Sequence, residues 1–204
     1  VTCRTRHGAF VGSAQLFDHD NFSISRAEAA AMDPQQRLLL ERGYAALHAS
    51  GLRRSSLEGT ETGVFCAIAS TSSDFRDVLK AEPAMRGSVY AATGFALSVA
   101  SGRLSFALGL QGPCVSYDTA CSAALVAVHA AVRAVQRGEC APCGLLEAVM
   151  LMLLPGVGRS FAVAGMTSAL GRCHTFDARA DGYARGEACG GALLRGAVGA
   201  EAAT

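Results

Sequence analysis

The chain has 204 residues, half of them apolar, enough to bury the core of one domain or a large piece of one, which argues against disorder. Charged residues make up 17%, and the 18 basic side chains nearly cancel the 17 acidic ones, so no broad field draws in nucleic acid or anionic lipid. The eight cysteines are spread through a chain large enough to need no disulfide staples, no secretory signal opens it, and apolar runs such as Ala148 to Leu154 fall far short of the roughly 20 residues that span a bilayer.

Taken in chain order, Ser25-Arg-Ala-Glu28 has capping-box spacing, and the Ala-rich stretch through Met32 predicts a short helix stopped at Asp33-Pro34. Pro34 can open the next helix, running from Gln35 to about Ala49 and ending at Ser50-Gly51. Thr62 to Ala69 is apolar and β-branched with little charge, which predicts a strand covered on both sides. Thr93 to Ala107 reads as a small-residue helix carrying Arg103, Gly109 to Pro113 as a turn, and Cys114 to Thr119 as a second strand. Ala120 to Gln136 is apolar nearly all round and predicts a buried helix that Gly138 ends. Alternation of apolar segments with Gly-rich turns, without repeats or linkers, is the texture of one α/β unit.

Strand therefore meets helix at Cys121. A Cys in a first helical turn has unpaired N–H groups and the positive end of the dipole beside its sulfur, which favour thiolate over thiol. Its neighbours Ala120, Ser122, Ala123 and Ala124 are small, leaving room for a thioester carbonyl and for an N–H to face a developing oxyanion. The usual fate of a free Cys is that of a small buried hydrophobe, and its position alone leaves both readings open.

Asp118-Thr-Ala-Cys-Ser-Ala-Ala-Leu-Val-Ala127 resembles the nucleophile motif of β-ketoacyl synthases. The resemblance extends in order over Phe17-Asp18 and Phe22 to Glu28, Met32-Asp-Pro-Gln-Gln-Arg-Leu-Leu-Leu-Glu41, Ala100 to Ser105 with Gly109 to Pro113, and Gly171 to Asp177 with Ala180 to Glu187. In texture it is similar to the type I polyketide synthases. It implies a thiolase-like layered αβαβα fold, of which residues 1–204 would be the first, nucleophile-bearing half of a partial β-ketoacyl synthase domain. It also implies a homodimer through the region of Cys114 to Thr119 once the domain is complete. Val1 in place of Met, and an end at Ala-Ala-Thr204 without a closing element, read as cuts, with the C-terminal half missing.

The activity implied is that of a condensing acyltransferase in polyketide or fatty-acid biosynthesis. Cys121 would accept an acyl group from the phosphopantetheine of an acyl carrier protein, with no other cofactor, and condense it decarboxylatively with a malonyl-type extender. The family supplies two His residues for the second step in its C-terminal half, and none of the five His here matches those motifs, so the fragment alone is expected to be inactive and poorly soluble. His7 and His19 fall in loops, His48 near a helix end and His174 before Phe176-Asp177, while His129 lies eight residues past Cys121, turned roughly 80° from the sulfur's face. Asp177, Asp181 and Glu187 read as turn caps or partners of Arg179 or Arg185. Cys140-Ala-Pro-Cys143 resembles half a zinc site or a redox motif without a second pair, and Leu145-Leu-Glu147 replaces the family's small Ala-Gly-Gly type segment.

Two other readings compete. A Cys-dependent thioester hydrolase needs a His base near the sulfur, and the blocks outside the Cys motif speak against it. A non-catalytic partner subunit or scaffold of the same fold typically lacks the nucleophile, yet Leu145-Leu-Glu147 keeps it in view. The composition and absent signals predict an intracellular location, cytoplasmic or organellar, with no nucleic acid or membrane partner.

Overall fold

The computed structural model describes residues 5–68, 73–82 and 88–196. Cys3, Ala69 and both chain ends lie outside the described residues. Its elements are α1 (Arg26–Ala31), α2 (Pro34–Ala49), α3 (Arg54–Leu57), β1 (Gly63–Ile68), α4 (Ser73–Ala81), α5 (Ala91–Gly94), α6 (Leu97–Leu108), β2 (Cys114–Tyr117), α7 (Ala123–Gln136), β3 (Gly144–Met150), α8 (Pro155–Val163) and β4 (Ala188–Leu194). None of the described helices is long and apolar enough to cross a membrane.

The strands form one sheet in the order β2-β1-β3-β4, with β1 parallel to both neighbours and β4 antiparallel to β3. Period-two alternation divides the residues of β1 and β3 between two helical layers. Val64 and Leu145 pack with Leu40, Leu47, Leu104 and Leu108 of α2 and α6, and Cys66, Ile68 and Val149 continue that face. Phe65 and Ala67 turn the other way, onto Ala123, Ala127, Ala131 and Ala134 of α7. Every residue of β1 is buried, as a strand covered on both faces requires.

The start of α2 follows its local sequence. Asp33 caps it by accepting the Gln35 N–H at 2.8 Å, and Pro34 occupies the first turn. The capping box of α1 forms only in half. Ser25 Oγ accepts the Glu28 N–H at 3.1 Å, but the Glu28 carboxylate reaches instead to Arg103, 2.6 Å away on α6. Arg103 Nε also donates to Gln36, whose own amide donates to the carbonyls of Thr93 and Ala96.

Those carbonyl contacts explain a correction. The single helix expected over Thr93 to Ala107 is broken between α5 and α6, where Gln36 and the Asp33 N–H take backbone carbonyls that a continuous helix would use itself. Arg103 is 9% exposed and anchors this junction. Replacing it with Met is expected to leave Glu28 and Gln36 without their cationic partner and to cost about 2–4 kcal/mol, measured as a lowered urea midpoint with unchanged slope.

A second correction concerns the helix after Cys121. It begins as a 3₁₀ turn over Ala120–Ser122 and becomes α-helical at Ala123. Only its stripe of small residues is buried against the sheet, while Leu125 is 74% exposed and His129 is also exposed. An apolar circumference did not mean burial all round, because nothing among the described residues lies over the outer face of α7.

Candidate active site

At the end of β2 the backbone turns sharply. Ala120 has a φ of +54°, the left-handed region that Ala enters at a cost of about 1–2 kcal/mol. Two side chains hold the turn. Asp118 Oδ1 accepts the Ala120 N–H at 3.2 Å, and the Ser122 hydroxyl reaches the Thr119 carbonyl at 2.8 Å. Cys121, the next residue, is consequently exposed at the head of α7 instead of packed in the core. Within this chain its thiol is therefore not packed as a core hydrophobe.

Cys121 lines a cavity of about 850 Å³. The floor comes from the α7 face of the sheet, with small residues such as Ala67, Ala148 and Gly190. Phe161 of α8, Met166, Tyr183 and Arg185 add the larger groups. None of the described histidines is among the lining residues. His19 holds the Ile24 carbonyl at 2.8 Å, and His48 lies against the ring of Tyr44, both structural positions.

The segment 166–187 is held against the cavity by backbone contacts. The Tyr183 N–H donates to the Met166 carbonyl at 3.0 Å, and the Tyr183 carbonyl accepts the Ser168 N–H at the same distance. Gly182, at φ +134°, permits this approach, since a Cβ there would sit 2.5 Å from the Ser168 nitrogen. Glu187 is the principal clamp. Its carboxylate accepts the Met152 N–H at 2.8 Å and the Val11 N–H at 3.0 Å, joining three segments at the edge of the cavity.

The three carboxylates noted in the sequence are therefore separated by role. Asp177 pairs with Arg179 at 2.8 Å in an exposed turn, and hydrogen bonds from the Arg179 side chain and backbone hold its carboxyl down at about 2. Asp181 accepts the Ala169 N–H, and Glu187 clamps backbone. Of the two arginines expected as partners, Arg179 takes Asp177, while the Arg185 guanidinium lies over the Phe161 ring.

Cys140 and Cys143 are both buried, and desolvation raises both thiols. Cys143 Sγ lies 3.8 Å from Thr62 Oγ1, and Cys140 packs beside Gly63. Among the described residues no group of three or more His, Cys, Asp or Glu is placed to hold a metal ion.

The segment from Asp118 through α7, with the loops that close over it, lies within a longer match. The family model for the N-terminal domain of beta-ketoacyl synthases covers residues 2–199. The chain belongs to the β-ketoacyl synthase family. It is 45% identical over 191 residues to the polyketide synthase GfsB of Streptomyces halstedii, covering 93% of this chain and 3% of that protein. It is likewise 45% identical over 190 residues to the phenolphthiocerol synthesis polyketide synthase type I Pks15/1 of Mycobacterium bovis, covering 93% of this chain and 9% of the relative.

Solved structures place the fold in the same family. The ketosynthase from module 6 of the bacillaene synthase of Bacillus subtilis 168 superposes with a TM-score of 0.80 at 32% identity, over 91% of this chain and 30% of that one. The oxazolomycin ketosynthase domain OzmH KS7 of Streptomyces albus JA3453 gives 0.81 at 30% identity, over 93% of this chain and 32% of its own. The thiolase-like fold expected from the sequence is thus borne out, and this chain spans about a third of those ketosynthase chains. Sequence reasoning singled out Cys121 but gave no role to Phe161 or Met166, and read Glu187 as a turn cap or ion-pair partner rather than as the clamp on Met152 and Val11.

Proposed function

We propose that this chain is the nucleophile-bearing half of a polyketide synthase condensing domain, residues 1–204 forming its N-terminal part, and that Cys121 is the acyl acceptor. The observation that carries the reading is the held turn at Ala120, which presents Cys121 to a largely apolar cavity in a chain of this family. The Cys121 sulfur attacks the carbonyl carbon of an acyl thioester carried on the phosphopantetheine of an acyl carrier protein. A new C–S bond forms, the carrier's C–S bond breaks, and the carrier thiol leaves with the proton that Cys121 gave up. A malonyl-type extender then loses carbon dioxide, its carbanion attacks the enzyme thioester, a C–C bond forms and the Cys121 thiolate departs.

Polarising the extender falls to residues outside this chain, the two His expected in the second half. The exposed apolar side chains Leu125 on α7, Val163 on α8 and Leu170 fit a surface that such a half would cover. The edge of β2 that no described strand pairs with, with Cys114 exposed and Val115 37% exposed, fits the homodimer contact expected there. The hydrolase reading needs a His base near the sulfur, and no described histidine lines the cavity.

The test is to incubate the polypeptide that carries this chain with a butyryl pantetheine thioester and locate the acyl group by peptide mass spectrometry. The expected adduct is on Cys121. An adduct on Cys114 or Cys173, both exposed, would sink the assignment. The 204 residues by themselves are expected to give no elongated product from a malonyl thioester, and elongation by them alone would overturn the two-half reading.

A further inference from the structure

The wall of the cavity contains a cation that no carboxylate among the described residues pairs with, Asp118 of the same lining included. Arg185 lines the cavity, with its guanidinium carbon 5.3 Å from the centroid of the Phe161 ring. Phe161 meets Tyr183 through another contact, edge to face at 6.5 Å, so the ring is fixed between the two. Position 158 on α8 is Gly, and a Cβ there would come within 3.2 Å of Arg185 Nη1, so the helix leaves that space to the guanidinium. The Arg185 backbone is fixed as well. Its carbonyl accepts the Ala9 N–H at 3.1 Å, and the Ala9 carbonyl accepts the Glu187 N–H at 2.8 Å.

Among the described residues the Arg185 guanidinium enters no ion pair and no side-chain hydrogen bond, whereas Arg103 and Arg179 hold Glu28 and Asp177. A guanidinium stacked on a ring uses its face and keeps the N–H groups around its rim for acceptors. The rest of the lining is Ala, Gly, Val and Met with Cys121, Phe161, Tyr183 and Asp118, whose carboxylate accepts the Ala120 N–H, so the Arg185 donors gain most from an oxygen brought in by the occupant.

We infer that Arg185 is a specificity-determining residue that selects acyl chains bearing an acceptor oxygen, a hydroxyl, keto or carboxylate group, over saturated chains. The inference rests on Cys121 as the acyl acceptor. A saturated chain fills the same volume but leaves the rim donors desolvated and unpaired, and a site built around a donor discriminates most strongly in that case.

The experiment uses the polypeptide that carries this chain, with butyryl, 3-hydroxybutyryl and succinyl pantetheine thioesters. Acylation rates are read by intact mass, and equilibrium binding is read in a Cys121→Ser variant. The parent is expected to prefer the oxygenated chains by roughly 10-fold or more, and Arg185→Met to reduce that ratio by roughly 10- to 100-fold. Arg185→Lys keeps the charge without the fork, so it retains more preference for succinyl than for 3-hydroxybutyryl, which separates an anionic from a neutral acceptor. A parent without preference, or a ratio that Arg185→Met leaves within threefold, overturns the inference. Acylation absent with the binding ratio intact would sink the Cys121 reading alone, and acylation intact with a ratio near one would sink the Arg185 reading alone.

Discussion

Replacing Glu147 with Met is expected to stabilise the fold, and to do so far more at pH 9 than at pH 5. Glu147 stands on β3 between Leu145 and Val149, on the sheet face that carries α2 and α6, and is 1% exposed. Position 43 on α2 is Gly, where a Cβ would collide with the Glu147 carboxylate and with Leu104. Neither carboxylate oxygen has a hydrogen-bond partner among the described residues. The titratable groups near it are the thiols of Cys66 on β1 and Cys189 on β4, both pushed up by burial, Cys189 to about 12, and the Arg42 guanidinium on α2 acts on Cys189.

Burial raises the Glu147 carboxyl from its ordinary 4.5 to about 8. The folded chain then holds this proton more tightly than the unfolded chain does. Its contribution is intact below about 4.5 and is lost as the pH climbs through 8, a total of roughly 4–5 kcal/mol. Even the neutral acid, lacking a partner, costs about 1–3 kcal/mol, which Met in the same space does not incur. The gain from Glu147→Met should therefore be about 1–3 kcal/mol at pH 5 and several more at pH 9, measured from urea midpoints at both. A gain that does not change with pH would show that Glu147 is solvated or paired in solution.

Glu147 also illustrates what the sequence makes legible. Leu145-Leu-Glu147 stands out in the sequence as a departure from small residues, because residue size and charge are local properties. That its carboxylate would be orphaned could not be read, since this depends on Gly43 and Leu104 arriving from elements far away in the chain. β1 and the start of α2 were legible for the same local reason: a dense β-branched run, and an Asp-Pro cap. The break between α5 and α6 was not, because the Gln36 amide reaches across from 57 residues away to Thr93. β4 was hidden in Ala188-Cys-Gly-Gly-Ala-Leu-Leu194, a sequence too poor in β-branched residues to declare a strand, which exists because Gly191 can lie against Arg42 and Ala46 of α2. The small residues around Cys121 in the sequence made its exposed place on the cavity legible. The Phe161, Tyr183 and Arg185 wall is assembled from two segments whose proximity no periodicity encodes.

The largest kinetic effects are expected at the turn that presents Cys121. Cys121→Ala should abolish acyl transfer from a pantetheine thioester, a loss of more than about 10³-fold, because no sulfur remains to form the thioester. Asp118 gives the more discriminating result. Its carboxylate pins the Ala120 N–H while Ala120 holds a left-handed backbone, so the position of the following sulfur depends on this bond as well as on that from Ser122 to Thr119. Asp118→Leu removes the acceptor and lets the turn relax toward right-handed geometry, and displacement of a nucleophile by about 1 Å can cost about 10²-fold in rate. Asp118→Asn keeps an acceptor oxygen at the same place and should restore most of that rate. The measurement is the rate of Cys121 acylation in the polypeptide that carries this chain, with urea midpoints taken on each variant. If Leu and Asn slow acylation equally while both remain folded, the carboxylate acts through its charge, and the turn is held by Ser122 and Thr119 instead.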